Sequence, residues 1–487
     1  MGEIQKGITM VDAEKFKKVS ALIKKHKIEF VSLKFNDLFG RWIHFSIPSA
    51  RFTDDLVREG IAYDGSSIAG FQSIEKSDML LLPDINTAVV DPVMEKYPTL
   101  SVVCNTVEPY TREPYWRDPR HIAIKTEQYL RKHGIDKAYF GPEIEFFLFD
   151  DVRYKAGEHF GHWEVDVAEA NWHSDEGEIN LGTSVRKQEG YFVVPPFDHA
   201  INIRLAMVNA LEQAGIVVER DTHERATAGS AEIDIRFDSL TRMADTINLF
   251  KYIVRNVAVK HGKSATFMPK PLFSHNGNGM HTHHSIWAKG KPLFADGKTS
   301  YHGLSQFGLH YLAGVLTHAS SILAFAAPTV SSYRRLVPGY EAPTTIAFGA
   351  RNRSTAIRIP AYPDTAASRR IEFRAPDPSG NAYLWFSAMV LAGLDGVKKK
   401  LDPVKLGFGP FEKSGYEMTK EELDRVKFTP GSLGEVLEAL DVDRAYLTES
   451  GVFSDRLINL WIEEKRKEIA KVNLYPTPID YEMYYDA

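Results

Sequence analysis

Two glutamates stand one residue apart in the apolar stretch FGPEIEFFLFD, residues 140–150. Side chains at positions i and i+2 of a strand point to the same face, about 6.6 Å apart. Glu143 and Glu145 therefore share one face of a predicted strand that is rich in phenylalanine. Burying a carboxylate among apolar side chains is costly unless it is paired or coordinated. The spacing indicates that each glutamate serves a different ion of a two-metal site.

The same spacing recurs in two later predicted strands, GMHTHHS and RRIEFRAP, and two more glutamates bracket the turn in HERATAGSAEIDIRF. The residues concerned are His281, His283, Arg370, Glu372, Arg374, Glu224 and Glu232. Taken singly, such patterns are typical of exposed strands, and a histidine pair also opens many zinc hydrolase sites. Taken together, a donor set of five glutamates and one histidine favours Mg²⁺ or Mn²⁺ over zinc.

Several arginines accompany these carboxylates in the chain: Arg335, Arg353, Arg358, Arg370 and Arg374. Guanidinium groups match carboxylate and phosphate oxygens with two parallel hydrogen bonds. Metal ions with several arginines are what phosphoryl transfer requires, because its catalysis is largely charge neutralisation and alignment. The sequence has no G-x-x-x-x-G-K-[ST] motif. We therefore expect ATP to be bound through metal ions and arginines.

The bulk composition is that of an ordinary globular protein. The chain has 487 residues, a net charge of −5 and one cysteine, Cys104. This balance predicts no nucleic-acid partner, and a single cysteine fits a reducing compartment. The N-terminus carries charges where a signal peptide needs an apolar run, and the apolar stretches are too short for a membrane span. We expect a cytoplasmic protein without a membrane partner.

The pattern of elements predicts two domains. A helix over 12–26 and several short strands precede a proline-rich linker at 108–119, where Asp118 and Pro119 are typical of a helix start. We therefore expect domains at 1–113 and 114–487. The second contains a strand over 137–150, a helix from the capping Asp198 to Gly215, a helix over 239–261 and a loop over 151–190. The predicted class is α+β, with an antiparallel or mixed sheet in the larger domain.

The blocks DGSSIAGF, GPEIEFFLFD, HERATAGSAEIDIRF, NGNGMHTH, RRLVPGYEAP, ARNRSTAIRIP and RRIEFRAPDPS resemble the signature blocks of type I glutamine synthetases. They occur in the family's order and cover nearly the whole chain from about residue 30. The resemblance implies a small β-grasp-like N-terminal domain and a catalytic domain whose curved antiparallel sheet is flanked by helices. It also implies a dodecamer of two hexameric rings, with active sites between neighbouring subunits.

The resemblance assigns roles residue by residue. For the metals, it implies that Glu145, Glu224 and Glu232 hold one ion and that Glu143, His281 and Glu372 hold a second. For glutamate it implies Arg335, Arg374, Asn276 and Gly277, and for ATP it implies Arg353, Arg358, Arg370, Glu219, Phe237, His283 and Ser285. Asp64 and Ser67 would reach the adjacent subunit's site and form the ammonium pocket with Tyr191, Glu224 and Glu341. Asp64, Glu341 and Arg353 would be catalytic.

The implied activity is ATP-dependent joining of ammonium to the γ-carboxylate of L-glutamate through γ-glutamyl phosphate. The segment THERATAGSAE departs from the family pattern at Thr222, Arg225, Ser230 and Ala231. This departure leaves open a ligase that uses a larger amine, such as a polyamine or ethanolamine. A weakly active regulatory paralogue and a zinc amidohydrolase are further alternatives. For regulation, Tyr416 is the nearest counterpart of the tyrosine that some bacterial members adenylylate, and Ser73 occupies the position of the arginine that another subtype uses for feedback inhibition. Neither control mechanism is inferred.

Overall fold

The computed structural model describes residues 13–173, 181–295, 301–362, 365–412 and 426–487. Its N-terminal part forms a six-stranded mixed sheet with the strand order β2-β1-β6-β4-β3, and β5 pairs with β6. The strands are β1 (Phe30–Asn36), β2 (Trp42–Pro48), β3 (Ile61–Asp64), β4 (Asp78–Pro83), β5 (Val89–Val90) and β6 (Thr99–Val107). Helices α1 (Ala13–Lys25) and α2 (Asp54–Glu59) accompany them. The central strands β1 and β6 run parallel and are almost wholly buried.

The larger part is built on a ten-stranded sheet with the main order β10-β11-β7-β14-β18-β17-β16. Its strands are β7 (Lys137–Phe149), β10 (Val218–His223), β11 (Ser230–Ile235), β12 (Asp238–Ser239), β13 (Ser264–Thr266), β14 (Met280–Ala288), β15 (Lys291–Pro292), β16 (Thr345–Ala350), β17 (Thr355–Ile359) and β18 (Ile371–Phe373). All the pairings are antiparallel except the parallel pair β16–β17. The expected sheet is thus confirmed, with β7 and β14 at its centre.

The helices of this part pack on the sheet or on one another, except the last of them, which has no buried residue. They are α3 (Pro119–Lys132), α4 (Ile201–Gln213), α5 (Leu240–Lys260), α6 (Gln306–Thr317), α7 (Ala319–Ala326), α8 (Val330–Arg335), α9 (Ala382–Lys399), α10 (Leu433–Val442), α11 (Ala445–Thr448), α12 (Asp455–Asn473) and α13 (Pro478–Tyr484). Phe386 of the buried helix α9 stacks on Phe140 of β7, with ring centroids 4.0 Å apart. This core holds the back of β7 while the opposite face carries the polar residues.

Among the described residues, no single helix is long and apolar enough to cross a membrane. Helices α6 and α7, bent by 70° at their break, pass that test only as a pair and only by length and composition.

One buried arginine joins the two parts of the chain. Arg120 of α3 donates to Asp84 at 2.8 Å and to Asn105 at 2.6 Å, both in the N-terminal part. The same guanidinium donates twice to Asp245 of α5, at 2.9 Å each. Asp118 caps α3, and Pro119 opens it, as the sequence predicted. The N-terminal sheet and helices α3 and α5 therefore share a largely buried ionic junction. The boundary at 113/114 stays a prediction.

Two sequence-based expectations were wrong. Asp198 does not cap α4, because both of its carboxylate oxygens accept from the Arg204 guanidinium at 2.8–2.9 Å and the cap position is Ala200. The predicted loop over 151–190 contains a hairpin of strands β8 (Asp151–Ala156) and β9 (Gly161–Asp166). The loop was predicted from the segment's content of glycine, histidine and charge, although Val152, Tyr154 and Ala156 alternate with polar residues along β8.

Candidate active site

A cleft of about 470 Å³ opens over the polar face of the catalytic sheet. The predicted site residues that line it are Glu143, Glu145, Tyr191, Glu224, Glu232, Asn276, Gly277, His281, Arg335, Glu341, Arg353 and Arg374. Residues far apart in the chain thus meet in one concavity, with carboxylates on its floor and arginines at its sides.

Strand register brings the floor together. Glu232 of β11 lies directly opposite Glu145 of β7, and His281 of β14 lies opposite Glu143. Because all these side chains rise from the same face, one ligand atom each from Glu143, Glu232 and His281 lies within 4.8 Å of the others. Two carboxylates and an imidazole at this separation are a suitable donor set for a divalent cation.

Charge repulsion on the floor favours a cation. Burial, with the nearby charge of Glu224, raises the pKa of Glu145 to about 8. Burial and the carboxylates around it raise the pKa of Glu232 well above its usual range, and burial also raises that of Glu224. These three glutamates are thus poorly compensated by protein groups alone. A bound cation would supply the missing positive charge.

The histidines are held in forms that suit ligation. Burial and the neighbouring Arg374 lower the pKa of His281 to about 4, so its imidazole is neutral and can bind a metal. Arg370 donates to Nδ1 of His283 at 3.2 Å, and Nε2 of His283 then donates to Glu143 at 3.0 Å. Although burial opposes it, hydrogen bonds from both histidines hold the pKa of Glu143 well below its usual range. The side chain of Glu143 is therefore ionised.

Glu372 is fully buried and lies between two arginines. Arg374 donates to its Oε1 at 2.5 Å, and Arg358 donates to its Oε2. Burial opposes ionisation, but Arg374 lowers the pKa of Glu372. The structure thus connects this predicted metal ligand to two predicted substrate-binding arginines, opposite His283 in the β14–β18 register.

Several contacts hold the end of the cleft that is predicted to bind glutamate. Arg335, the last residue of α8, is buried and donates to the carbonyls of Ala375 at 2.9 Å and Arg374 at 3.2 Å. A side chain at position 277 has no room, because a Cβ on Gly277 would lie 2.0 Å from the Pro269 carbonyl oxygen. The Asn276 side chain donates to Glu341 at 3.2 Å. These contacts fix the positions predicted for glutamate binding.

Apart from Arg353, which lines the cleft, the residues predicted to bind the nucleotide lie beside the cleft. Phe237 is 53% exposed and meets Tyr139 edge to face, with centroids 5.2 Å apart. Ser285 accepts from the Trp287 indole at 3.1 Å, and Glu219 is exposed on β10. An exposed aromatic ring on a rigid support is suited to stacking on a base.

Asp64 and Ser67 do not reach the cleft of their own chain. Asp64 is exposed and accepts from the Ser66 amide at 2.9 Å and from the Ser67 hydroxyl at 2.7 Å. These hydrogen bonds lower the pKa of Asp64, which keeps it ionised. Within one chain the structure therefore leaves the predicted ammonium pocket without these two residues. Tyr416 lies outside the described residues.

Sequence analysis missed several contributors. Arg220 lines the cleft and binds Asp234 at 2.7 Å and Glu232 at 3.4 Å. Burial and Glu143 raise the pKa of Asp234 to about 6. Asp234 stands two residues after Glu232, so the spacing used for the other pairs could have identified it. Arg225 forms an ion pair with Glu341, a contact that no sequence pattern predicts.

Comparison with known proteins decides the family. Residues 27–109 match the glutamine synthetase β-grasp domain, and residues 116–484 match the glutamine synthetase catalytic domain. A glutamine synthetase of Frankia alni is 48% identical over 95% of this chain and 98% of its own length. That of Mycolicibacterium smegmatis is 47% identical over 96% and 98%. The chain belongs to the glutamine synthetase family.

Solved structures agree with this assignment. The glutamine synthetase of Plasmodium falciparum superposes with a TM-score of 0.88 at 30% identity, covering 96% of this chain and 98% of that one. A protein titled GmaS, in complex with ADP, has the same fold at 24% identity and a TM-score of 0.79.

The predicted family, fold and enzyme class are thus confirmed: an ATP-dependent ligase that makes glutamine from glutamate and ammonium. Family membership also agrees with the use of a divalent metal. The larger-amine and regulatory alternatives are not favoured, because the full-length relatives above are glutamine synthetases.

Proposed function

We propose that the cleft holds Mg²⁺ or Mn²⁺ ions and performs glutamate activation and amidation at one place. The observation that carries this proposal is the cluster of Glu143, Glu232 and His281 beside Arg335 and Arg374. Glu145, Glu224 and Glu232 would hold one ion, and Glu143, His281 and Glu372 the other. When bound, such ions neutralise phosphate oxygens and polarise the transferring group.

Different arginines would bind the two anionic substrates, glutamate and ATP. Arg335 is buried and fixed by carbonyls, so its remaining donor capacity suits the carboxylate of glutamate. Arg353 is exposed at the cleft, and Arg358 and Arg370 lie beyond it along the same face. These three would bind the phosphates of ATP and the charge that develops during transfer. Phe237 would support the adenine.

Glutamate activation splits one difficult substitution into two easier ones. The γ-carboxylate oxygen of glutamate attacks the γ-phosphorus of ATP, the bond to ADP breaks, and γ-glutamyl phosphate forms. Ammonia then attacks the acyl carbon and phosphate leaves. Arg353 would stabilise the negative charge in both steps, in a cleft whose walls partly exclude water.

Ammonium would bind among the carboxylates Glu224 and Glu341 next to Tyr191. A small cation is attracted there by charge and by the aromatic ring. Asp64 from an adjacent subunit, ionised and hydrogen-bonded, would complete the pocket and take the proton that makes ammonia nucleophilic. Support for an intersubunit pocket comes from the position of Asp64 and Ser67, which lie outside the cleft of their own chain. A cytoplasmic dodecamer of two hexameric rings would provide that neighbour.

The decisive experiment is coupled release of ADP with glutamate, ATP and ammonium, in the presence of Mg²⁺ or Mn²⁺. We expect turnover that depends on ammonium and yields glutamine and phosphate in equal amounts. Glu143→Gln should abolish it while leaving the protein folded by circular dichroism. Turnover that does not require ammonium with either metal would contradict the proposal.

A further inference from the structure

A second cavity, of about 610 Å³, lies where the N-terminal sheet meets the catalytic part. One wall consists of β2 and the turn that precedes it. The other consists of α5, the segment 266–269 and the start of α8. Among the described residues, those that line this cavity include none that we assign to metal, glutamate, ammonium or ATP. It is therefore a separate compartment of the fold.

The cavity is lined by cations and, within the described part of the chain, by no carboxylate. Lys34 is neutralised by Asp91 at 3.3 Å. Lys251 donates to the Pro378 carbonyl, and the guanidinium of Arg255 lies 5.1 Å from the Phe267 ring centroid. Neither of these two cations has an acidic partner within 4 Å among the described residues. No ion pair among the described residues therefore neutralises either cation, although the charge of Asp377 favours the protonated form of Lys251.

Burial makes this charge expensive. Desolvation, with the nearby charge of Arg255, lowers the pKa of Lys251 to about 7. An anion in the cavity would remove the penalty by pairing with both groups at once. Arg41, exposed at the opposite wall, adds a third positive group, whose charge also acts on Asp37 outside the lining.

The remaining lining is aromatic and polar. Trp42 meets Tyr252 edge to face with centroids 5.8 Å apart, and Phe267 forms part of the same wall. Polar side chains complete the lining, among them Asn248 and Asn256. Apolar rings together with hydrogen-bonding side chains suit an organic molecule rather than a bare inorganic ion.

We propose that this cavity is a binding site for a small organic anion, carrying carboxylate or phosphate oxygens, held by Lys251 and Arg255 of α5. The anion is an effector rather than a substrate, because it lies outside the cleft in which glutamate and ATP would react.

Two elements connect the cavity to the glutamate end of the cleft. Pro269 lines the cavity, and its carbonyl accepts from the Asn278 amide at 2.9 Å and contacts Gly277 of the cleft wall. Ser331 lines the cavity near the start of α8, and Arg335 ends the same helix in the cleft. The effect of the anion on glutamate binding rests on the proposed function, in which Arg335 and Gly277 bind glutamate. An anion in the cavity should therefore change the KM for glutamate more than the KM for ATP.

The test is calorimetric titration of the full chain with succinate and, separately, with glycerol 3-phosphate. Glutamate, ADP and Mg²⁺ are kept saturating so that the active cleft is filled. We expect one anion to bind per chain, and Arg255→Gln to weaken its binding at least tenfold. Lys251→Met should also weaken binding at least tenfold, so that the conclusion does not depend on the correct folding of one variant. Lys260→Gln, on the same helix but paired with Glu95 outside the cavity, is the matched control and should bind normally.

The proposal is overturned if neither probe binds, or if Arg255→Gln and Lys251→Met bind as well as the unmodified chain. Which probe binds more tightly separates a dicarboxylate from a phosphate ester. The ADP-release assay, run on the same preparations, keeps the two proposals apart. Anion binding without glutamine formation would refute the proposed function but not the anion site. Glutamine formation without anion binding would refute the anion site alone.

Discussion

Arg225 forms an ion pair with Glu341 across the active cleft, although 115 residues separate them in the chain. Arg225 directly follows Glu224, and its own amide donates to the Glu224 carboxylate at 2.9 Å. Glu341 is held with a positive φ of 56° and also accepts from Asn276. One guanidinium thus connects the floor of the cleft to the loop that would cover the ammonium pocket.

We expect Arg225→Met to lower the KM for ammonium. The guanidinium occupies a carboxylate that would otherwise attract the substrate cation, and an exposed pair of this kind is worth about 0.2–1 kcal/mol. The KM should therefore fall by about 1.4- to fivefold with kcat nearly unchanged, as measured by initial rates at varied ammonium. Arg153→Met, which removes an exposed arginine on the β8–β9 hairpin, is the control. A KM that rises or stays constant would show that Arg225 does not compete with ammonium.

Without metal, the folded protein should lose stability as pH rises. The pKa of Glu145 is about 8 in the folded chain, above its ordinary value of 4.5, so the folded state holds this proton more tightly than the unfolded state. The stabilisation is complete below about pH 4.5 and is lost as pH rises through about 8, at about 1.4 kcal/mol per pH unit for one proton. Thermal unfolding in chelator at several pH values measures it.

The same titration has two internal checks. Glu145→Gln should flatten the dependence between about pH 5 and pH 8, whereas the exposed Glu158→Gln should leave it unchanged. Mn²⁺ or Mg²⁺ should restore stability at the alkaline end, because the ion takes the place of the proton. If the melting temperature in chelator is equally high at pH 5 and pH 8, the pKa of Glu145 is not raised by burial and neighbouring carboxylates.

Phe237→Ala should weaken ATP binding selectively. Stacking of a base on an aromatic side chain is worth about 1–3 kcal/mol, so we expect the KM for ATP to rise at least fivefold. The KM for glutamate should not change, because Phe237 lies outside the cleft lining. Phe273→Ala removes another exposed ring, 88% accessible, and serves as the control. Equal effects of the two variants would remove Phe237 from the nucleotide site.

Mixing two inactive variants tests the shared ammonium pocket. Asp64→Ala and Glu143→Gln should each be inactive alone. If Asp64 serves the neighbour's site, mixed oligomers assembled from equal amounts will contain some intact sites. Random assembly makes these about one quarter of the total, so about a quarter of the normal activity should return. A mixture that remains inactive after verified subunit exchange would place Asp64 outside the neighbour's chemistry.

Much of the site follows from strand periodicity. The i, i+2 rule placed Glu143 with Glu145 and His281 with His283 on common faces, and the β7–β14 register then brought the two pairs together. Family resemblance, rather than spacing, assigned each glutamate to an ion. Asp234 lies two residues after Glu232 on β11, so the same i, i+2 rule could have predicted it.

Other features depend on contacts between distant segments. The Arg225–Glu341 pair has no local signature, since neither residue's neighbours require it. Asp198 looked like a helix cap because its type suits that position, but the Arg204 guanidinium offered its carboxylate a stronger, two-pronged partner. The β8–β9 hairpin was missed because the glycine, histidine and charge content of the segment favoured a loop, although one face of the hairpin carries Val152, Tyr154 and Trp163. Local pattern is a poor guide where tertiary partners or solvent decide the outcome.

The junction at Arg120 restrains the N-terminal part against the catalytic part. Its guanidinium is held by Asp245 of α5 within the catalytic part, and it also donates to Asp84 and Asn105 of the N-terminal part, bonds that would break if the two parts swung apart. Hinge opening between them is therefore costly. Entry and product release fall instead to small loop displacements, such as release of Glu341 by Arg225, and turnover can be limited there without any motion of the domains.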